Sequence, residues 1–393
     1  MMAPIRVGII GLSSTPADVS AGSAGSWAAM AHLPYLLASP SYTITALCNS
    51  SVKSAQTAVR IHNLPSTTKT YGSPEDLAND PDVDLVVVAV RVDRHYEVAL
   101  PALQAGKNVF VEWPLASNFQ QAKEMLAVAE KSGSKTIVGL QARASPYVQE
   151  TKRLVEEKAI GEVLSSHLTC ETGFPGDADL PGVDYFIKPE VGANMFTILF
   201  SHVADPVFYT LGGLGEVSAL LTTRWPQIKL LNSDGSFNKM AKRETPDHVM
   251  VQGTLANNAA PVSIFVRSDK AFKNTPPFTW RIFGTTGEIR LTAMAGLNIA
   301  LSGAKLELYS HEKDTVQTID VKFPEGVQGL NPFATNIGQL YELFAKGGTV
   351  KEGFVDFEQA VGMHEALLKM EKSSKGKKDE RVGAQIRDLD QHN

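Results

Sequence analysis

The run Val109-Phe110-Val111-Glu112-Trp113-Pro114 sets a carboxylate, an indole and a proline directly after three apolar residues. Proline brings no N–H to a sheet, so a strand here must end near Glu112. The carboxyl ends of strands in an open α/β sheet are where ligands bind. Glu112 and Trp113 are therefore either site residues or the lip of a domain junction. Farther along, His202 and Asp205 stand at i and i+3 and share one helical face. An imidazole there can act as a general acid–base; equally, it can be a helix histidine held by Asp205 for structure. This pair has too few ligands for a metal centre, and none is expected. Tyr185 and Lys188 lie in a Gly-, Pro- and Asp-rich stretch, 173–189, and could supply a base if either turns inward. Ordinary loop residues are the plainer reading.

A second set of residues has the chemistry of a dinucleotide site. Ile5-Arg6-Val7-Gly8-Ile9-Ile10-Gly11 is a β-branched run ending in glycine, the opening of a strand–turn–helix unit. A strict G-x-G-x-x-G continuation from Gly11 fails, because Leu12 is followed by Ser13 and the third glycine is displaced. The Ser-, Ala- and Gly-rich segment 14–24 reads as an inserted loop, and the first crossover helix starts about Trp27. Its amino end carries about half a positive charge and suits a pyrophosphate. The second strand, Tyr42 to Cys48, ends in Asn49-Ser50-Ser51 with Lys53 close behind. A site preferring NAD usually places Asp or Glu here; small hydroxyls and a cation suit a 2′-phosphate, which puts NADP ahead of NAD. The alternative is a turn and cap for the helix beginning at Val52. Val90, Arg91 and His95 after the strand Asp84–Val90, and Gln141 after the strand Thr136–Leu140, complete the candidate cofactor residues with Gly11, Leu12, Ser13, Trp27, Asn49, Ser50, Ser51, Lys53 and Glu112.

The elements that must position these residues alternate strand and helix through the first third of the chain, the cadence of a doubly wound parallel sheet. Residues 1–140 are expected to form this Rossmann domain. Residues 141–371 read as an α+β domain with a large, mostly antiparallel sheet, whose strand candidates include 163–172, 216–224, 247–255, 262–268, 279–283, 287–292 and 305–310. The polar run Asn232 to Arg243 reads as a mobile insertion. Two amphipathic helices, 331–344 and 357–371, follow, then a charged tail, 372–393, expected to be disordered. A length of 393 residues with 43% hydrophobic content supports two cores. The net charge of −5 carries no footprint for nucleic acid. The two cysteines, Cys48 and Cys170, sit in apolar runs and read as buried thiols. With neither a signal peptide nor a membrane-length apolar run in the sequence, a cytoplasmic location is expected.

Several of these stretches together resemble one family. Asp84-Leu-Val-Val-Val-Ala-Val, His95, Ala105-Gly106-Lys107-Asn108-Val109-Phe110-Val111-Glu112 and Ala159-Ile160-Gly161-Glu162-Val163 are similar to the glucose–fructose oxidoreductase/inositol dehydrogenase (Gfo/Idh/MocA) family. Val111-Glu112-Trp113, Gln141-Ala-Arg143-Ala-Ser145-Pro146-Tyr147 and Thr245-Pro246-Asp247-His248 through Leu255 resemble a fungal subgroup that includes a yeast galactose-pathway transcriptional repressor. The resemblance implies an NAD(P)-dependent oxidoreductase for a small sugar, polyol or related carbonyl or imine, working as a homodimer through the large sheet. The family's Glu-Lys-Pro motif falls on Glu112-Trp113-Pro114. Its catalytic lysine is Trp113 here, and an indole N–H donates a hydrogen bond but is no base. A second family motif falls on Gly192-Ala193-Asn194 through His202 and Asp205, with Ile198 where the family has Asp and Phe200 where it has Gly. The other function that the resemblance implies is a non-catalytic, dinucleotide-sensing partner of a transcription factor, without direct nucleic-acid or membrane contact.

Overall fold

The computed structural model describes residues 3–15, 26–179, 184–232, 234–294 and 303–376. Most of the inserted loop expected at 14–24, and the tail beyond residue 376, lie outside the described residues. Continuous apolar runs bury both faces of a parallel sheet, and the first half of the chain supplies them. β1 (Ile5–Ile10), β2 (Tyr42–Cys48), β3 (Lys69–Tyr71), β4 (Leu85–Val88), β5 (Asn108–Val111) and β6 (Thr136–Val138) form an all-parallel sheet of order β3-β2-β1-β4-β5-β6. The order reverses between β1 and β4, and a crevice opens at their carboxyl ends.

The crossover helices carry the starts and stops that their sequences specify. A π-helical turn, Ala28–His32, runs into α1 (Leu33–Ala38). α2 (Val52–Ile61) is capped by the Ser51 hydroxyl, which accepts the Ser54 N–H, and α3 (Pro74–Ala78) is capped in the same way by Ser73. α4 (His95–Gln104) follows β4, and α5 (Phe119–Ser132) ends at left-handed Gly133.

α6 (Pro146–Glu156) leads into the second sheet. The remaining elements are β7 (Val163–Glu171), a π-helical segment Met195–Phe200 continuing as α7 (Ser201–Leu211), β8 (Leu214–Thr222), β9 (Gln227–Leu231), β10 (Phe237–Lys242), β11 (His248–Leu255), β12 (Pro261–Arg267), β13 (Phe278–Gly284), β14 (Gly287–Ala293), β15 (Lys305–Ser310), β16 (Thr315–Ile319), α8 (Pro332–Lys346) and α9 (Phe357–Gly376). The eight-stranded sheet runs β16-β15-β14-β13-β7-β12-β11-β8 and is antiparallel except where β7 meets β12.

Two expectations need correction. The polar run 232–243 is no mobile insertion: β10 pairs antiparallel with β9, whose Ile228 and Leu230 are buried with Ile187. α9 also runs five residues into the stretch assigned to the tail. The Ser373 and Ser374 hydroxyls accept the Ala219 and Leu221 N–H groups, which binds that last turn to β8.

α8 returns to the first domain and packs on the Ala28–His32 turn and α1, while α9 packs between α5 and β8. One apolar core runs from Val111 and Trp113 through Phe196, Phe200 and Val203 to Phe278 and Phe357. The two sheets are thereby fixed to each other around the end of β5.

Candidate active site

A cavity of about 410 Å³ opens where the ends of β4 and β5 face the Met195–Phe200 segment and the loops of the second sheet. Glu112 stands at its floor. The carboxylate lies so close to Gly139 that a Cβ there would sit 2.5 Å from Glu112 Oε2, so only glycine fits beside it. His32 Nε2 donates to Glu112 Oε1 at 2.7 Å, and His32 Nδ1 lies 2.8 Å from the Tyr341 hydroxyl. His32 and Tyr341 are fully buried, and Glu112 keeps 8% exposure. A chain of Tyr341, His32 and Glu112 therefore reaches from α8 to the cavity. Sequence reasoning missed His32 and Tyr341; the one available signal was a lone histidine closing the apolar run Trp27–Ala31.

Trp113 lines the same cavity, after which the Trp113–Pro114 peptide is cis. Its indole N–H donates to the Thr197 carbonyl at 2.7 Å, and its ring packs on His364 at 4.8 Å. Trp113 thus presents an apolar wall with its one donor already used. His202 also lines the cavity, buried, with Nδ1 lacking a hydrogen-bond partner. Burial pushes its pKa down to about 4, against the nearby negative charge of Glu112 that raises it. His202 is a neutral imidazole at neutral pH.

Asp205 does not join it. Its carboxylate takes two hydrogen bonds from the Arg143 guanidinium, at 2.6 and 2.7 Å, and Arg143 also donates to Gln359 at 3.0 Å. The i, i+3 spacing is real, but the buried arginine captures the acid and turns it toward α9, outside the cavity lining. Asp205 is thereby held by Arg143 at the domain junction and does not line the cavity.

The remaining predicted residues divide into those at the cavity and those beside it. Trp27, Val90, Arg91, His95 and Tyr185 line it; Gly11, Leu12, Ser13, Asn49, Ser50, Ser51, Lys53 and Gln141 do not. His95 is a brace, because its Nδ1 and Nε2 face the carbonyls of Pro114 and Val90 at 2.8 and 3.0 Å, and burial lowers its pKa. Tyr185 lies under the Arg91 guanidinium at 5.7 Å, and burial raises its pKa, so the phenol stays protonated. Gln141 is fully buried with neither amide atom paired. Asn49 Nδ2 donates to the Leu12 carbonyl at 2.9 Å, and His62 Nε2 lies 2.8 Å from the Ser13 carbonyl, so both hold the turn after β1. Ser50, just after β2, and Lys53, in the first turn of α2, are exposed.

A dinucleotide fits this frame. Gly11, at φ 99°, passes so close to β4 that a Cβ would meet the Ala89 carbonyl at 2.6 Å. The crevice at the sheet's switch point meets the cavity at Ala89–Val92, where the buried Trp27 Nε1 has no partner. Among the described residues, no group of three or more metal-ligating side chains is assembled, and no helix is long and apolar enough to cross a membrane.

Known proteins share this fold. The family described as "Oxidoreductase family, NAD-binding Rossmann fold" matches residues 5–140, and "Gal80p, C-terminal domain" matches residues 146–293. The dehydrogenase aclE of Aspergillus oryzae is 32% identical over 326 residues, spanning 79% of this chain and 83% of that one. The chain belongs to the Gfo/Idh/MocA family. Its second half is of the Gal80 type. The galactose/lactose metabolism regulatory protein GAL80 of Saccharomyces cerevisiae is 28% identical over 86% of this chain and 82% of its own. A crystal structure of a Gal80p super-repressor mutant from that yeast superposes with a TM-score of 0.83 at 27% identity, covering 95% of this chain and 97% of that one. Levoglucosan dehydrogenase in complex with NADH and L-sorbose shares the fold, with a TM-score of 0.75 at 20% identity over 95% and 98% of the two chains. This Gfo/Idh/MocA chain thus joins an NAD(P)-binding Rossmann half to a Gal80-type half around one cavity.

Proposed function

We propose that the protein is an NAD(P)-dependent oxidoreductase that interconverts a carbonyl or imine and its reduced form without the family's lysine. The observation that carries this reading is His202, a buried neutral imidazole with an unpaired Nδ1, facing the cavity that adjoins the dinucleotide crevice. A bound nicotinamide dinucleotide supplies or accepts the hydride. The chain's own part is to place and polarise the substrate. His202 donates a hydrogen bond from its neutral ring to the reacting oxygen or nitrogen, as a neutral histidine can where an imidazolium would cost too much to bury. Glu112, fixed by His32 and Tyr341, sets the cavity floor, and Trp113 shuts water out of the place where lysine would stand. Tyr185, protonated, is the second donor at the mouth.

The test is NADPH oxidation followed at 340 nm with a panel of ketones, aldehydes and imines. Turnover is expected, and His202→Gln should lower kcat by about 10²-fold or more while leaving NADPH binding unchanged. Saturable NADPH binding with no turnover across the panel contradicts it.

NADP is the proposed preference, supported by the missing carboxylate after β2 and by exposed Lys53 beside Ser50. Lys53→Glu should reverse the ratio of NADPH to NADH dissociation constants; an unchanged ratio removes Lys53 from the site. A homodimer through the eight-stranded sheet is likewise proposed, since Leu220 and Met250 are paired neighbours on β8 and β11 and both stand exposed.

One observation favours a second reading, a dinucleotide-sensing regulator with a transcription-factor partner. Trp113 spends its only donor on Thr197, and the Gal80-type second half accompanies it. Binding of an activation-domain peptide, with no turnover of any carbonyl, would favour this reading.

A further inference from the structure

We infer that the substrate is a compact, mainly apolar carbonyl compound, or its alcohol, carrying one polar reacting group, rather than a sugar or polyol. The inference rests on the oxidoreductase reading and specifies its substrate class.

It comes from counting which polar groups of the cavity are already engaged. The Trp113 N–H is taken by the Thr197 carbonyl, and both His95 nitrogens face backbone carbonyls. On the second-domain wall, Asp247 accepts the Arg224 and Trp225 N–H groups at 2.8 Å each and the His248 Nδ1–H at 2.7 Å. Burial opposes its charge, yet these donors and Arg243 hold the carboxyl below the usual range. Arg243 itself donates to Asp247 and to the Gly176 carbonyl. The Thr245 hydroxyl donates to the Phe186 carbonyl at 2.7 Å, and Arg91 is clamped by Asp93. Glu112 shares its Oε1 with His32.

The surface between these groups is hydrocarbon: Phe174, Phe186, Met195, Ile198 and Leu199 face the same space. A sugar brings a hydroxyl on nearly every carbon, and each buried hydroxyl needs a partner to replace its water. The unengaged polar atoms among the lining groups named above, His202 Nδ1, the Trp27 N–H, the Tyr185 hydroxyl and Glu112 Oε2, are fewer than a sugar's hydroxyls and ring oxygen need. An apolar body loses nothing by entering, and its one polar atom meets His202. Ile198, four residues before His202 and lining the same cavity, offers no acceptor there.

The reaction balances for a ketone. The carbonyl carbon gains hydride from the dihydronicotinamide, which leaves as NADP⁺. The C=O π pair moves onto oxygen, and the oxygen takes a solvent proton delivered at His202, giving the secondary alcohol.

The experiment uses the full chain saturated with NADPH, with 1-tetralone as the apolar probe and L-sorbose and D-glucose as the polar ones. Binding is read by quenching of tryptophan fluorescence, and turnover by absorbance at 340 nm. Expected is saturable 1-tetralone binding at least 100-fold tighter than either sugar, with NADPH consumed. Ile198→Asp should shift the ratio of affinities at least tenfold toward the sugars, and Phe174→Gln, on the opposite wall, should shift it in the same direction if the first variant fails to fold. Sugar turnover that exceeds tetralone turnover overturns the substrate class and leaves the oxidoreductase reading intact. Tight tetralone binding without consumption of NADPH by any carbonyl overturns the oxidoreductase reading and leaves the apolar selectivity standing. Failure of both probes to bind overturns the inference.

Discussion

At the scale of single residues, two buried histidines have a measurable signature. Burial lowers both His202 and His364 to about 4, whereas an unfolded imidazole takes its proton near pH 6.5. Between pH 4 and 6.5 the unfolded chain therefore binds more protons, and stability rises with pH. The contribution is complete above pH 6.5 and is lost as pH falls toward 4. At 1.36 kcal/mol per unit, each histidine accounts for up to about 3 kcal/mol. Urea midpoints should fall between pH 7.5 and 5, and His364→Phe, which keeps a ring against Trp113, should flatten that fall by about half. An unchanged slope in the variant would assign the pH dependence elsewhere. The position of Trp113 was legible because a proline fixes where β5 stops. The direction of its indole was not, since its acceptor lies on Thr197, 84 residues away. His32 was harder still, as its partner Tyr341 is 309 residues distant and no local pattern marks such a contact.

At the scale of elements, the Arg143–Asp205 pair decides how α7 meets the domain junction. Both side chains are buried, and removing one partner leaves a charge without compensation. Asp205→Asn should lower stability by about 3–5 kcal/mol in urea unfolding. A loss below about 1 kcal/mol would show that Gln359 suffices to hold Arg143. The helical spacing of His202 and Asp205 was readable, but spacing gives a shared face and not the partner each side chain finds across it. The hairpin of β9 and β10 was misread for a related reason. Its outer residues are polar enough to look like solvent-exposed loop, while the buried alternation of Ile228 and Leu230 is only two residues long. The parallel strands of the first domain were legible because burial on both faces demands continuous apolar runs.

At the scale of the molecule, the two sheets enclose one cavity whose first wall is conventional for an α/β sheet and whose second wall sets apolar side chains among polar groups engaged with the protein itself. The first wall follows from the switch point between β1 and β4, which the alternation of strands and helices implies. The second wall is assembled from segments far apart in the chain, and no periodicity announces it. α8 and α9 then tie the halves together, so that the Glu112 carboxylate, the Trp113 indole and the His202 imidazole face one space. That space has a function only if the dinucleotide ends there. The direct measurement is a crystal structure of the full chain soaked with NADPH. Expected is a nicotinamide ring at the Val90–Val92 edge, with its reactive C4 facing the space between Trp113 and His202 and room left for a substrate. A ring turned away from His202, or one that fills the cavity and leaves no such room, would contradict an oxidoreductase built on this site.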